Sequence, residues 1–161
     1  MKTEYKKKSR SLWWVVILGG ILLFFPFLGS RALWEPDEPR QALMTLEMER
    51  DGIKLFSTLR EKLYPDYPPL SYWINLAFGK GLSIMGLGEP LRHPWGYQLP
   101  AMVATILSAF FLFLLGRNLY NEETALLASF IFYLTPMVFI QGQRAMLDPW
   151  LMAFITIYFW A

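Results

Sequence analysis

YPPLSYWINLAFGKGLSIMGLG, residues 67–88, is the stretch on which the fold turns, because it is apolar in character yet interrupted by Lys80 and loosened by Gly79, Gly81, Gly86 and Gly88. Neither uncharged half beside Lys80 is long enough to cross about 30 Å of hydrocarbon as a helix. If the segment did cross, the later uncharged run 96–116 would point outward and the run 124–143 inward, leaving Asp148 on the opposite face from Asp37. If it lies in the interface instead, Arg117 falls in a short cytoplasmic loop, as the positive-inside tendency prefers, and Asp37 and Asp148 share the outer face. The second arrangement is the expected one. Lys80 can snorkel to the headgroups, and Tyr72 and Trp73 suit an aromatic belt.

Working outward, the chain begins with Lys2, Lys6, Lys7, Lys8 and Arg10, followed by an uncharged run from Ser11 to Ser30. The basic flank places the N-terminus in the cytoplasm, and the run is long for a signal peptide and lacks a small-residue cleavage site, so it is expected to be the first span. Further spans are expected at 96–116 and 124–143, with an incomplete one at 149–161. The outer loop 31–95 then holds two juxtamembrane helices. One runs from Asp37 to the stop signal Asp51-Gly52, and the other follows the proline-rich turn Tyr64-Pro65-Asp66-Tyr67-Pro68-Pro69. The whole chain, 1–161, reads as one all-α polytopic transmembrane unit without internal repeats.

Composition supports this class. Of 161 residues, 55% are hydrophobic and 17% aromatic, too apolar for an ordinary soluble domain. The basic residues are clustered at the start rather than spread over a face, so no nucleic-acid partner is expected. With no cysteine and His93 as the single histidine, thiolate and histidine-rich metal sites are excluded. A divalent metal, if one takes part, would need carboxylates and water. Acids at the edge of a bilayer are costly and are functional candidates for that reason.

Four pieces occur in order: Trp34-Glu35-Pro36-Asp37-Glu38-Pro39-Arg40, Tyr67-Pro68-Pro69-Leu70-Ser71-Tyr72-Trp73, Leu115-Gly116-Arg117-Asn118-Leu119-Tyr120, and Arg144-Ala145-Met146-Leu147-Asp148-Pro149. In this order and spacing the chain resembles the N-terminal portion of the GT-C glycosyltransferases of the protein O-mannosyltransferase and lipid A aminoarabinose transferase group. The resemblance implies an inner-membrane enzyme that moves a sugar from a polyprenyl-phosphate donor to a lipid, glycan or protein hydroxyl on the outer, periplasmic face, with inversion. It also implies that Asp37 is the catalytic carboxylate, taking a proton from the attacking hydroxyl, while Glu38 orients the acceptor or, with Asp37, helps bind a divalent metal, and Asp148 fixes the geometry of the site. The leaving phosphate needs cations, for which Arg40 and Arg144 are candidates because a guanidinium fork matches phosphate oxygens. Relatives of the aminoarabinose type carry a lysine just before the Pro-Pro turn. This chain has Tyr67 there and Lys62 upstream, so both join the substrate-binding candidates. Members of the group are several times longer, so the chain is expected to be a truncated piece.

Plainer readings exist for each residue. Asp37 could merely cap its helix and Asp148 could merely start the next one. Arg40, Arg144 and Lys80 could be interfacial anchors. A non-catalytic scaffold or degenerate paralogue would keep the same pattern. An ion-coupled transporter would require charges inside the spans, and the three complete runs carry none.

Overall fold

The computed structural model describes residues 12–161, so the basic segment 1–10 and its expected cytoplasmic placement lie outside the described residues. Helix α1 (Trp13–Phe24) tightens into a 3-10 turn at Phe25–Phe27, where Pro26 cannot donate a backbone hydrogen bond. Helix α2 (Asp37–Asp51) is followed by a two-stranded hairpin, β1 (Thr58–Leu59) and β2 (Lys62–Leu63), and by helix α3 (Leu70–Ile84). After a 3-10 turn at Pro90–Arg92 come α4 (Pro94–Leu119), α5 (Glu122–Leu134), α6 (Pro136–Gln141) and α7 (Asp148–Trp160).

The elements run back and forth along one axis. At one end Trp13 of α1 meets Phe110 of α4, and Phe111 meets Trp160 at the tip of α7. At the other end the Gly29 N–H donates to Gln98 near the start of α4, and Phe24 and Phe27 pack on Phe139 of α6. Helix α4 lies at the centre, in contact with α1, α5 and α7. Small residues on its buried surface, Ala101, Ala104, Ser108 and Ala109, let these neighbours approach closely. Gly20 does the same for α1, since a Cβ there would stand 2.5 Å from the Tyr133 hydroxyl, which donates to the Val16 carbonyl.

Several expectations change. Of the described helices, α4 alone is long and apolar enough to cross a membrane, so a polytopic chain with spans at 11–30, 96–116 and 124–143 is not what the helix lengths display. Proline is the reason. Pro26 ends α1, and Pro136, with Thr135 held extended before it, splits the run 124–143 into α5 and α6. The shorter helices nevertheless point bulky apolar side chains outward, among them Leu22, Leu127, Ile131, Leu151, Phe154 and Phe159. The hairpin is a second departure from an all-α layout. Arg60 and Glu61 occupy its turn with left-handed backbone, at φ 54° and 64°. The buried Glu47 of α2 holds them, accepting from the Thr58 hydroxyl and the Arg60 N–H, both at 2.6 Å.

The segment 67–88 contains a single helix. Its helix, α3, packs on α2, on the turn Pro90–Arg92 and on α4, and Gly79 lies against Leu91 so closely that a Cβ would overlap it. A second core of Ala42, Met44, Met48, Tyr72, Leu76, Leu91, Tyr97 and Ala145 fills this end of the molecule. All the connections that carry the candidate acids meet here.

Candidate active site

The Glu35-Pro36 bond is cis, and Pro36 leads directly into α2. Asp37 is thus the first helical residue rather than the cap, and its carboxylate makes no capping hydrogen bond. A side chain 37% exposed, it faces Arg40 one turn on, with Oδ1 3.4 Å from Nη2. A narrow cavity lies beside it, lined by Asp37, Arg40, Gln41, Met44, Tyr67, Tyr72 and, from the turn before α7, Met146. Burial pushes the Tyr72 hydroxyl up to about 12, so it stays protonated there. The arrangement offers a carboxylate held near an arginine, reachable from solvent and walled by phenols. A carboxylate so placed can accept a proton from a hydroxyl brought within hydrogen-bond reach.

Glu38, its neighbour, is wholly buried and committed elsewhere. Its two oxygens receive both terminal nitrogens of Arg31, at 2.8 and 2.9 Å, and Oε2 also accepts the Trp34 N–H at 2.8 Å. Arg144 brings Nε to 3.4 Å of Oε1, an electrostatic contact without hydrogen-bond alignment. The guanidinium of Arg31 stacks over the Trp34 ring at 4.3 Å and that of Arg144 at 5.6 Å. Arg31 also donates to the Gln143 carbonyl at 2.8 Å, which ties the loop after α1 to the loop before α7. Asp37 and Asp148 therefore stand at the same end of the bundle. Glu38 thus accepts three hydrogen bonds, two from Arg31 and one from the Trp34 N–H. Among the described residues no three carboxylate or imidazole groups converge as metal ligands.

The other candidates separate. Tyr67 lines the Asp37 cavity and stacks on Tyr64. Arg40 also borders an open groove that contains Lys62. Asp148 is exposed at the start of α7, accepts from Gln141 Nε2 at 2.9 Å and does not line the Asp37 cavity. Sequence reasoning overlooked Arg31. Its signal was an arginine at the exit of an apolar run, an expensive place for a charge unless an acid nearby balances it.

The family model for dolichyl-phosphate-mannose-protein mannosyltransferase matches residues 66–161. The chain is 32% identical over 157 residues to an undecaprenyl phosphate-alpha-4-amino-4-deoxy-L-arabinose arabinosyl transferase of Proteus mirabilis, covering 89% of this chain and 27% of that protein. It is 34% identical over 151 residues to the corresponding enzyme of an Enterobacter species, covering 91% and 26%. Its fold is similar to the crystal structure of ArnT from Cupriavidus metallidurans bound to undecaprenyl phosphate, with a TM-score of 0.75 at 22% identity, over 92% of this chain and 26% of that one. The chain thus spans about a quarter of the length of these relatives.

Proposed function

The chain belongs to the dolichyl-phosphate-mannose-protein mannosyltransferase family, and from that premise we propose that it forms the catalytic-carboxylate end of an inverting glycosyltransferase of the GT-C class. The enzyme moves a sugar from a polyprenyl-phosphate donor to an acceptor hydroxyl at the outer, periplasmic face of a bacterial inner membrane. The observation that carries the reading is Asp37, a carboxylate free of capping duty at the mouth of a tyrosine-lined cavity. Relatives named as undecaprenyl-phosphate aminoarabinosyl transferases support the donor class and a pentose-type sugar.

In this reading Asp37 accepts the proton of the acceptor hydroxyl as its oxygen attacks the anomeric carbon, and the lipid phosphate departs from the opposite side. A single base suffices for one displacement with inversion. Arg40, 3.4 Å away, orients Asp37. Around Glu38, two arginines face one carboxylate, and the positive charge left over is available to the departing phosphate. Glu38 is then a positioning residue that holds the chain beside Asp37, and Asp148 supports the same face from the start of α7. Tyr67 stands where a phenol, rather than a lysine, meets the substrate.

Replacing Asp37 by Asn in the intact enzyme removes the proton acceptor without removing a cap bond, because none exists. The expected loss in transfer rate is about a hundredfold to ten-thousandfold, the usual worth of a general base. Transfer at near wild-type rate by the folded variant refutes the role.

A further inference from the structure

The turn 142–147, between α6 and α7, is tied down on several sides. Gln141 Nε2 donates to Asp148 Oδ2 at 2.9 Å and so closes the turn across its two ends. Arg31 donates to the Gln143 carbonyl at 2.8 Å, the Met146 N–H donates to the Arg144 carbonyl at 2.8 Å, and Ala145 is sunk in the second core. These contacts set Met146 against the Asp37 cavity, where it completes the wall that Tyr67 and Tyr72 begin. The space that remains is about 10 Å³. A single water needs about 10–15 Å³, so the cavity has no room beyond one.

Asp37 thus has two sides. One is open to solvent, and there an acceptor hydroxyl can arrive and displace water as it binds. The other is the cavity, where a lodged water would stay beside the carboxylate after the acceptor had covered the open side. A methionine suits that place. Its unbranched thioether adapts to an irregular gap, donates no hydrogen bond and accepts only weakly, so it neither holds a water nor pairs with the carboxylate. Met44 adds a second thioether to the wall, and the Tyr72 hydroxyl directs its proton at the Met44 sulfur, 3.4 Å away, rather than into the cavity.

We propose that Met146 is a specificity-determining residue that keeps water from the cavity side of Asp37, so that the acceptor hydroxyl rather than water takes the sugar. The inference rests on the assignment of Asp37 as the base made above. The side reaction held back is hydrolysis of the donor. In it the water oxygen bonds to the anomeric carbon, the bond from that carbon to the phosphate oxygen breaks with its electron pair leaving on the lipid phosphate, and the water proton passes to Asp37. Base and leaving group are those of transfer, and the nucleophile alone differs. Water is far more abundant than any acceptor, so the choice between them has to come from exclusion, which a cavity filled by a thioether supplies.

Met146→Ala removes the side chain beyond Cβ and opens space for about two more waters, at roughly 30 Å³ each. The test gives the intact enzyme undecaprenyl phosphate-alpha-4-amino-4-deoxy-L-arabinose, the donor in the names of its relatives, with lipid A as the acceptor probe, and reads free sugar as a fraction of the undecaprenyl phosphate released. Wild type should release little free sugar. Met146→Ala should raise the fraction about threefold or more, with the oxygen of isotopically labelled water on the anomeric carbon of the freed sugar. Met146→Leu refills the space and should release less free sugar than the alanine variant. The readout is a ratio, so partial loss of folded enzyme does not move it, and if the alanine variant fails to fold, Met146→Val, with a smaller void, should still exceed wild type. An unchanged fraction in the folded variants overturns the exclusion, as does a wild type that already releases most of its sugar free. Asp37→Asn separates this failure from that of the base. Transfer near the wild-type rate in that variant removes the base, whereas loss of transfer there with an unchanged fraction in Met146→Ala removes the exclusion alone.

Discussion

Replacing Glu38 by Gln is the sharpest test of how the site is built. Oε2 accepts from Arg31 and from the Trp34 N–H, while Oε1 accepts from Arg31 and faces Arg144. An amide nitrogen in either position points hydrogens at a donor, so at least one charge-assisted bond is lost whichever way the amide turns. Removing one partner of a buried ion pair costs about 3–5 kcal/mol. The side chains of Arg31 and Arg144 are 20% and 24% exposed and can recover some hydration, which brings the expected loss to about 3 kcal/mol. Arg144→Gln removes the longer contact to Glu38 and the stacking over Trp34, and should cost about 1 kcal/mol. Since the three residues form one network, Glu38→Gln and Arg31→Gln should be strongly non-additive in a double-mutant cycle. Denaturant unfolding in detergent, with equal slopes for all variants, supplies the free energies. A Glu38→Gln loss below about 1 kcal/mol, or full additivity with Arg31→Gln, refutes the node. In the intact enzyme the same variant should also slow transfer, because Asp37 is its chain neighbour.

Two further outcomes follow from particular contacts. The hydrogen bond from Arg31 to Gln143 requires that cysteines placed at Ser30 and Gln143, in this cysteine-free background, react alike with a membrane-impermeant thiol reagent added from outside; labelling of one without the other breaks the same-face arrangement. At the end of α2, the hydrogen bond from Arg50, aided by Lys54, holds the Asp51 carboxyl at about 2. A depressed folded value means that its contribution is present above the ordinary carboxylate range and is lost as pH falls through about 2. An NMR titration of Asp51 with a midpoint near 4 contradicts this pairing.

Local signals in the sequence determined much of the architecture. Hydropathy located the apolar helices, and Asp51-Gly52 marked the end of α2 to the residue. Lys80, among glycines, led to the expectation of an interfacial segment at 67–88, where the structure has a helix over Leu70–Ile84. Pro26 and Pro136 also announced where helices break, but an average over uncharged residues passes over a single missing donor. What the tertiary structure alone decided is the division of labour among the acids. Asp37 and Glu38 are adjacent in the chain, yet one meets solvent and Arg40 while the other is buried between arginines at positions 31 and 144. Arg31 precedes Glu38 by only seven residues but lies in the loop before α2, and Arg144 comes from a distant segment, so neither pairing follows a helical spacing that the sequence displays. The hairpin has the same origin: its strands are two residues long, and it exists because a carboxylate one helix away holds its turn.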